Sequence, residues 1–178
     1  MSLARVAQRY VKPLIEVALE QKIEKRVLED LAFVDHTIKT NRNLAVMLSN
    51  PIIYSDKKQK VLQEIFRGKV HELVIKFFEV LAKNTRDEIL PYVYTAYKNE
   101  YNRIKDIHEV KVISASELNA QNMQEIEALC QKIYKTGTIS IQHAINPDLI
   151  AGIIIQTEYK QFDLSVSSRL RKVKSELI

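Results

Sequence analysis

The sequence predicts a mainly α protein: an N-terminal helical bundle of about six helices over residues 1–104, followed by a small α/β C-terminal domain over residues 105–178. Three observations carry this. Apolar residues return at every third or fourth position through the first hundred residues, the signature of helices with one buried face. After Lys105 the pattern alternates instead, as in half-buried strands. Only one of the three glycines, Gly68, lies in residues 1–104.

The first helical pattern is Val6, Tyr10, Leu14 and Val17. Pro13 falls inside it, where it removes a backbone donor, so the helix either starts near Lys12 or bends there. Ile23, Val27, Leu31, Val34 and Ile38 form the second face. A short helix follows and stops at Asn50-Pro51, because a residue before proline avoids the helical region. Ser55 or Asp56 is placed to cap a helix through Val61, Leu62, Ile65 and Phe66, which Gly68 ends. Val70, Val74, Phe77 and Leu81 make the next face. Thr85-Arg-Asp-Glu88 has the spacing of a capping box opening the last helix, with Ile89, Val93, Ala96, Tyr101 and Ile104.

In the second half Val110, Val112 and Ser114 share one face of a strand. Asn119 opens a helix bearing Met123, Ile126, Cys130 and Ile133. Ile139 and Ile141 share one side of a strand over Thr138–Ala144. Leu149–Gln156 reads as a further strand whose consecutive isoleucines are buried on both faces, with Gly152 marking a bulge or close backbone approach. Phe162 closes a short return strand. Asp163 or Ser165 caps a final helix that exposes Arg169, Arg171, Lys172 and Lys174. A domain this small leans on a partner.

The residues offer no catalytic chemistry. Three glycines exclude both a phosphate-binding P-loop and a dinucleotide fingerprint. His36, His71, His108 and His143 stand apart with no metal-ligand spacing, so surface or capping roles are expected and no metal. The lone Cys130 reads as core, and Ser165, Ser167 and Ser168 as capping residues. No enzyme activity and no cofactor are expected. The longest apolar run, Leu149–Ile155, is too short to cross a membrane. The amino terminus, with Glu16 and Glu20, resembles neither a secretory signal nor a transit peptide.

Net charge is +5, all of it in residues 1–104, which hold 18 Lys/Arg against 13 Asp/Glu; residues 105–178 hold 9 of each. That basicity fits nucleic acid, an anionic surface or an acidic partner. Lys57, Lys58 and Lys60 form one cluster and the last helix another. A basic helical nucleic-acid-binding module is therefore the alternative, although aromatics on an exposed sheet are lacking.

Several segments, in order, resemble the delta subunit of F-type ATP synthases, related to the mitochondrial oligomycin-sensitivity-conferring protein. They are Arg9-Tyr10 with Leu14 and Val17-Ala18; Leu48-Ser-Asn-Pro51 with Lys57 or Lys60 and Leu62; Leu81-Ala-Lys-Asn-Thr-Arg86 with Leu90; and Val112-Ile-Ser-Ala115 with Leu118. The signature region is Ile145, Asn146-Pro147, Leu149-Ile-Ala-Gly152, Ile154, Asp163, Ser165 and Arg169-Leu170. The chain departs from the family at Val11 and Pro13, where alanines are usual, and at Glu158 for a hairpin glycine, which implies a wider turn before Tyr159. Ala151-Gly152 stands for a glycine pair.

The resemblance implies a non-catalytic stator connector. The helical domain would take the N-terminal segment of an alpha subunit into a groove between the first helix and the helix containing Phe77–Lys83. Its expected residues are Tyr10, Pro13, Val17, Lys76, Val80 and Lys83. The C-terminal domain would grip the b subunits of the peripheral stalk on a scaffold of Pro147, Gly152, Asp163, Ser165 and Arg169. No nucleic acid is implied, and membrane association is indirect, through the complex. The expected location is the cytoplasmic side of a bacterial inner membrane.

Overall fold

A computed structural model describes residues 2–134, 136–157 and 161–176. The protein is mainly helical with one small sheet, and it divides between Tyr101 and Asn102 into two compact units.

In the first unit α1 is Leu3–Glu20, α2 Glu24–Thr40, α3 Arg42–Ser49, α4 Ser55–Phe66 and α5 Glu72–Lys83. A 3-10 turn, Asp87–Ile89, leads into α6, Leu90–Lys105, whose last turn crosses the boundary. The recurring apolar positions converge on one core, with Val27, Leu31, Val34, Phe66, Val74, Phe78, Leu81, Ile89 and Tyr97 all buried. The periodicity overreaches at its C-terminal end, where Ile104 is exposed.

Local chemistry explains the ends. The Asn41 side chain accepts the Leu44 N–H at 3.2 Å and caps α3. His71 caps α5 through Nδ1, which accepts the Leu73 N–H at 3.1 Å, while the Asp30 carboxylate of α2 accepts the His71 N–H at 2.6 Å. The tip of α5 is thereby tied to α2.

One alternative is decided and two expectations fail here. Of the two courses open to the first helix, a start near Lys12 is excluded: α1 runs from Leu3 to Glu20 with Pro13 inside. Its other turns and its buried face (Val6, Ala7, Val11, Leu14, Ile15, Ala18) hold it across the missing donor. Thr85 does not open a capping box. It has φ +54°, its N–H donates to the Ala82 carbonyl and that of Arg86 to the Leu81 carbonyl, both at 2.9 Å. This is a Schellman closure of α5 with threonine where glycine is usual. Neither Ser55 nor Asp56 caps α4, because Tyr54 holds that position without a side-chain bond and the Ser55 hydroxyl turns to Asp87 instead.

The second unit is a four-stranded sheet of order β2-β1-β3-β4, with β1 Ile107–Ser114, β2 Thr138–Ile145, β3 Ile153–Gln156 and β4 Gln161–Asp163. α7, Ala120–Tyr134, is the crossover joining the parallel pair β1 and β2; β3 is antiparallel to both β1 and β4. Register puts Val110 beside Ile141 and Val112 beside Ile155, so one sheet face is apolar and packs against Ile126 and Cys130 of α7. The other face carries exposed Lys111, Ser140 and Gln142. Burial raises the Cys130 thiol pKa and keeps it an inert core residue. Ile133, expected on the apolar face of α7, is exposed.

The strand expected over Leu149–Gln156 is shorter. Pro147–Leu149 is a 3-10 turn, and Ile150 (φ 66°, ψ −57°) sits at the centre of a γ-turn in which the Ala151 N–H donates to the Leu149 carbonyl at 2.7 Å. That conformation is strained for a β-branched residue. Pairing begins only at Ile153, where Ile155 alone is fully buried. The turn at Glu158 and Tyr159 lies outside the described residues. α8, Val166–Glu176, packs against the Pro147–Leu149 turn.

Candidate functional site

In the first unit α1 and α5 each pack on α2 and on the Asp87–Ile89 turn. Between them they leave a groove of about 420 Å³. The α1 wall is Arg9, Tyr10, Pro13, Leu14 and Val17; the α5 wall is Leu73, Lys76, Phe77 and Val80. Leu14 and Phe77 form a buried floor, while Val17 (36% exposed) and Val80 (48%) stand on the rims. Seven of the nine lining residues are apolar or aromatic, and the two polar ones, Arg9 and Lys76, are both cations. Lys76 lies 3.2 Å from Glu72 one turn earlier, an exposed pair that leaves it accessible.

Of the six residues singled out on these helices, the structure brings five to one groove: Tyr10, Pro13, Val17, Lys76 and Val80. Lys83 is exposed at the last turn of α5 and does not line it.

The support beneath the groove was not visible in the sequence. Lys58 of α4 is buried, its ammonium bonded to the Asp87 carboxylate and, at 2.8 Å, to the Leu48 carbonyl of α3. The Ser55 hydroxyl donates to the other Asp87 oxygen at 2.6 Å. Burial pushes the Asp87 pKa up, but the bonds from Lys58 and Ser55 outweigh it and the pKa ends below the ordinary value. This network ties α3 and α4 to the 3-10 turn on which α1 and α5 both rest. It also removes Lys58 from the expected basic cluster, leaving Lys57 and Lys60 on the surface.

The second unit gathers most of its singled-out residues at the start of α8. Asp163 accepts the Ser165 N–H at 2.9 Å, the Ser165 hydroxyl at 2.6 Å and the Ser168 hydroxyl at 2.6 Å. These bonds from Ser165 and Ser168 lower its pKa to about 2. The buried Ser165 hydroxyl accepts the Ser168 N–H at 3.3 Å and caps the helix. Gly152 (φ +89°) lies so close to this corner that a Cβ there would collide with the Leu164 carbonyl and reach the Ser165 Cα at 3.0 Å. Pro147 belongs to the turn under α8, and Arg169 is exposed on the helix.

Gly152→Ala therefore combines a left-handed backbone with a collision. It is expected to destabilise the second unit by about 1–3 kcal/mol, read as a lower denaturation midpoint for its amides by hydrogen exchange, with α1–α5 unaffected. An unchanged midpoint would remove the close-approach explanation.

Sequence reasoning missed several exposed apolar side chains of the second unit: Ile145, Ile150, Leu164, Leu170 and Val173. The alternation of Leu170 and Val173 with four cations conceals their common exposure. Among the described residues no cluster of three or more His, Cys, Asp or Glu could hold a metal ion, and no helix is long and apolar enough to cross a membrane.

A family model described as the ATP synthase delta (OSCP) subunit matches residues 6–177. The chain is 27% identical over 176 residues to ATP synthase subunit delta of Cytophaga hutchinsonii, covering 99% of this chain and 96% of that one. It is 31% identical over 174 residues to ATP synthase subunit delta of Symbiobacterium thermophilum, covering 97% and 92%. Its fold matches a chain of the Toxoplasma gondii mitochondrial ATP synthase hexamer with a TM-score of 0.70 at 18% identity, over 96% of each chain.

Proposed function

The chain belongs to the ATP synthase delta (OSCP) subunit family, and from that premise we propose that it is the stator connector of an F-type ATP synthase, joining the catalytic head to the peripheral stalk. As a peripheral-stalk subunit it does no chemistry of its own. It holds the head against the rotor's torque, so that ion-driven rotation becomes ATP synthesis.

The N-terminal segment of an alpha subunit occupies the α1–α5 groove as an amphipathic helix. The observation that carries this reading is the groove itself, an apolar trough between two helices anchored from below, with cations on its walls. A helix in such a trough buries anchors at i, i+3 or i+4 and i+7. Tyr10, Pro13, Val17 and Val80 supply apolar contact, Lys76 meets acidic residues of the segment, and Lys83 lies beyond the groove on the same helix.

The second unit grips the b subunits. Pro147, Gly152, Asp163 and Ser165 build the corner, while Ile150, Leu164, Leu170 and Val173 offer apolar contact beside Arg169. Two separate grips add avidity, since the second binding event becomes intramolecular. The two delta subunits named above come from bacteria, which supports a position on the cytoplasmic side of the inner membrane, reached through the complex.

Reconstitution tests the whole reading. Membranes carrying an F-type ATP synthase stripped of this subunit should regain head attachment and ion-driven ATP synthesis when the chain is added. Heads that attach and couple equally well without it would overturn the connector role.

A further inference from the structure

The groove has a polar feature that its side chains do not reveal. Proline has no N–H, so Pro13 inside α1 leaves the Arg9 carbonyl without its α-helical donor. The pyrrolidine ring also crowds that carbonyl and tilts it away from the helix axis. Arg9 and Pro13 are one turn apart and both line the groove, which places the carbonyl between them on the face of α1 that forms that wall. An acceptor buried without a donor is unfavourable, whereas one that meets a donor in a low-dielectric contact gains.

We propose that the Arg9 backbone carbonyl is a specificity-determining acceptor of the groove, taking a hydrogen bond from a side-chain donor of the segment that docks there. This rests on the groove being the alpha-segment site. A helical segment uses its own backbone N–H groups internally, so the donor is a hydroxyl, amide or cationic side chain on its apolar face. Pro13 thus does two things at once. It weakens α1 as a helix, and it sets a fixed backbone acceptor into a wall formed by the Arg9, Tyr10, Pro13, Leu14 and Val17 side chains. An apolar helix lacking the donor would bury the carbonyl unmet and be disfavoured.

The test compares the intact chain with its Pro13→Ala variant, using a synthetic peptide of the alpha-subunit N-terminal segment as the probe. Alanine restores the N–H, so the variant should melt higher by about 5 °C or more. It should nevertheless bind the peptide about fivefold or more weakly. Each polar residue of the peptide is then replaced by alanine and titrated against both proteins. One replacement should weaken binding to the original chain yet leave binding to Pro13→Ala unchanged, the coupling that identifies a direct partner.

A variant that melts lower would show that the carbonyl already has a partner, and the proposal falls. Unchanged or tighter peptide binding by Pro13→Ala overturns the acceptor while the docking reading stands. Weaker binding in which no peptide residue couples assigns the loss to pyrrolidine packing and also overturns it. Failure of the unaltered chain to bind the peptide at all defeats the docking reading first, and this inference with it.

Discussion

Lys58→Ala is expected to destabilise the first unit by about 3–5 kcal/mol, the cost of stranding one partner of a buried ion pair. Lys58 and Asp87 are both buried, and removing the ammonium leaves the Asp87 carboxylate with the Ser55 hydroxyl and its own backbone N–H, and the Leu48 carbonyl without this donor. The damage should spread to the groove, because the Asp87–Ile89 turn packs on both α1 and α5. Chemical denaturation of the variant reads the loss directly.

The pH dependence gives the sign. In the parent chain the Asp87 pKa is depressed. Its stabilising contribution is therefore fully present above the unfolded-state pKa and disappears as pH falls through the folded value. Removing Lys58 takes away two of the causes that hold that pKa down, so it rises relative to the parent and the carboxylate is more readily protonated in the folded variant. The variant's deficit should shrink as pH is lowered toward 4. Replacing both partners, as Lys58→Met with Asp87→Leu, should recover most of the loss, since an apolar pair leaves no charge unmet. A constant deficit across pH would show that the pair does not act through charge.

Val80→Asp is expected to leave the fold intact and weaken binding of the alpha N-terminal segment by about 2 kcal/mol or more, the scale of an interface hot spot. Val80 is 48% exposed on the α5 rim, so the carboxylate reaches water in the free protein. In the complex it would be desolvated against apolar side chains. An unfolded variant would make Val80 a core residue, and a folded one that binds normally would take the rim out of the interface. Both are separated by running a thermal melt beside the titration.

Much of this architecture was legible because it follows from periodicity. Val74, Phe77 and Leu81 repeat at helical spacing and are buried, while Val80 breaks that face and is exposed. Tyr10, Pro13, Val17, Lys76 and Val80 were reached through the family resemblance, since periodicity alone cannot tell a core face from a groove wall. Lys58 was hidden: in Lys57-Lys58-Gln59-Lys60 it looks like one more solvated cation, and its burial depends on a carboxylate 29 positions away. Thr85 misled because a sequence spacing does not reveal φ, and its left-handed backbone serves the helix before it. Leu149–Gln156 misled because consecutive apolar residues fit a buried strand equally well, and nothing in that pattern encodes the positive φ at Ile150.

The central claim is that the α1–α5 groove holds the alpha-subunit segment. Amide chemical-shift mapping of the intact chain, titrated with a peptide of that segment, tests it most directly. Saturable changes centred on Arg9–Val17 and Leu73–Val80, with β1–β4 and α8 quiet, are the predicted result. No binding, or changes centred on α8 and the sheet, would contradict it.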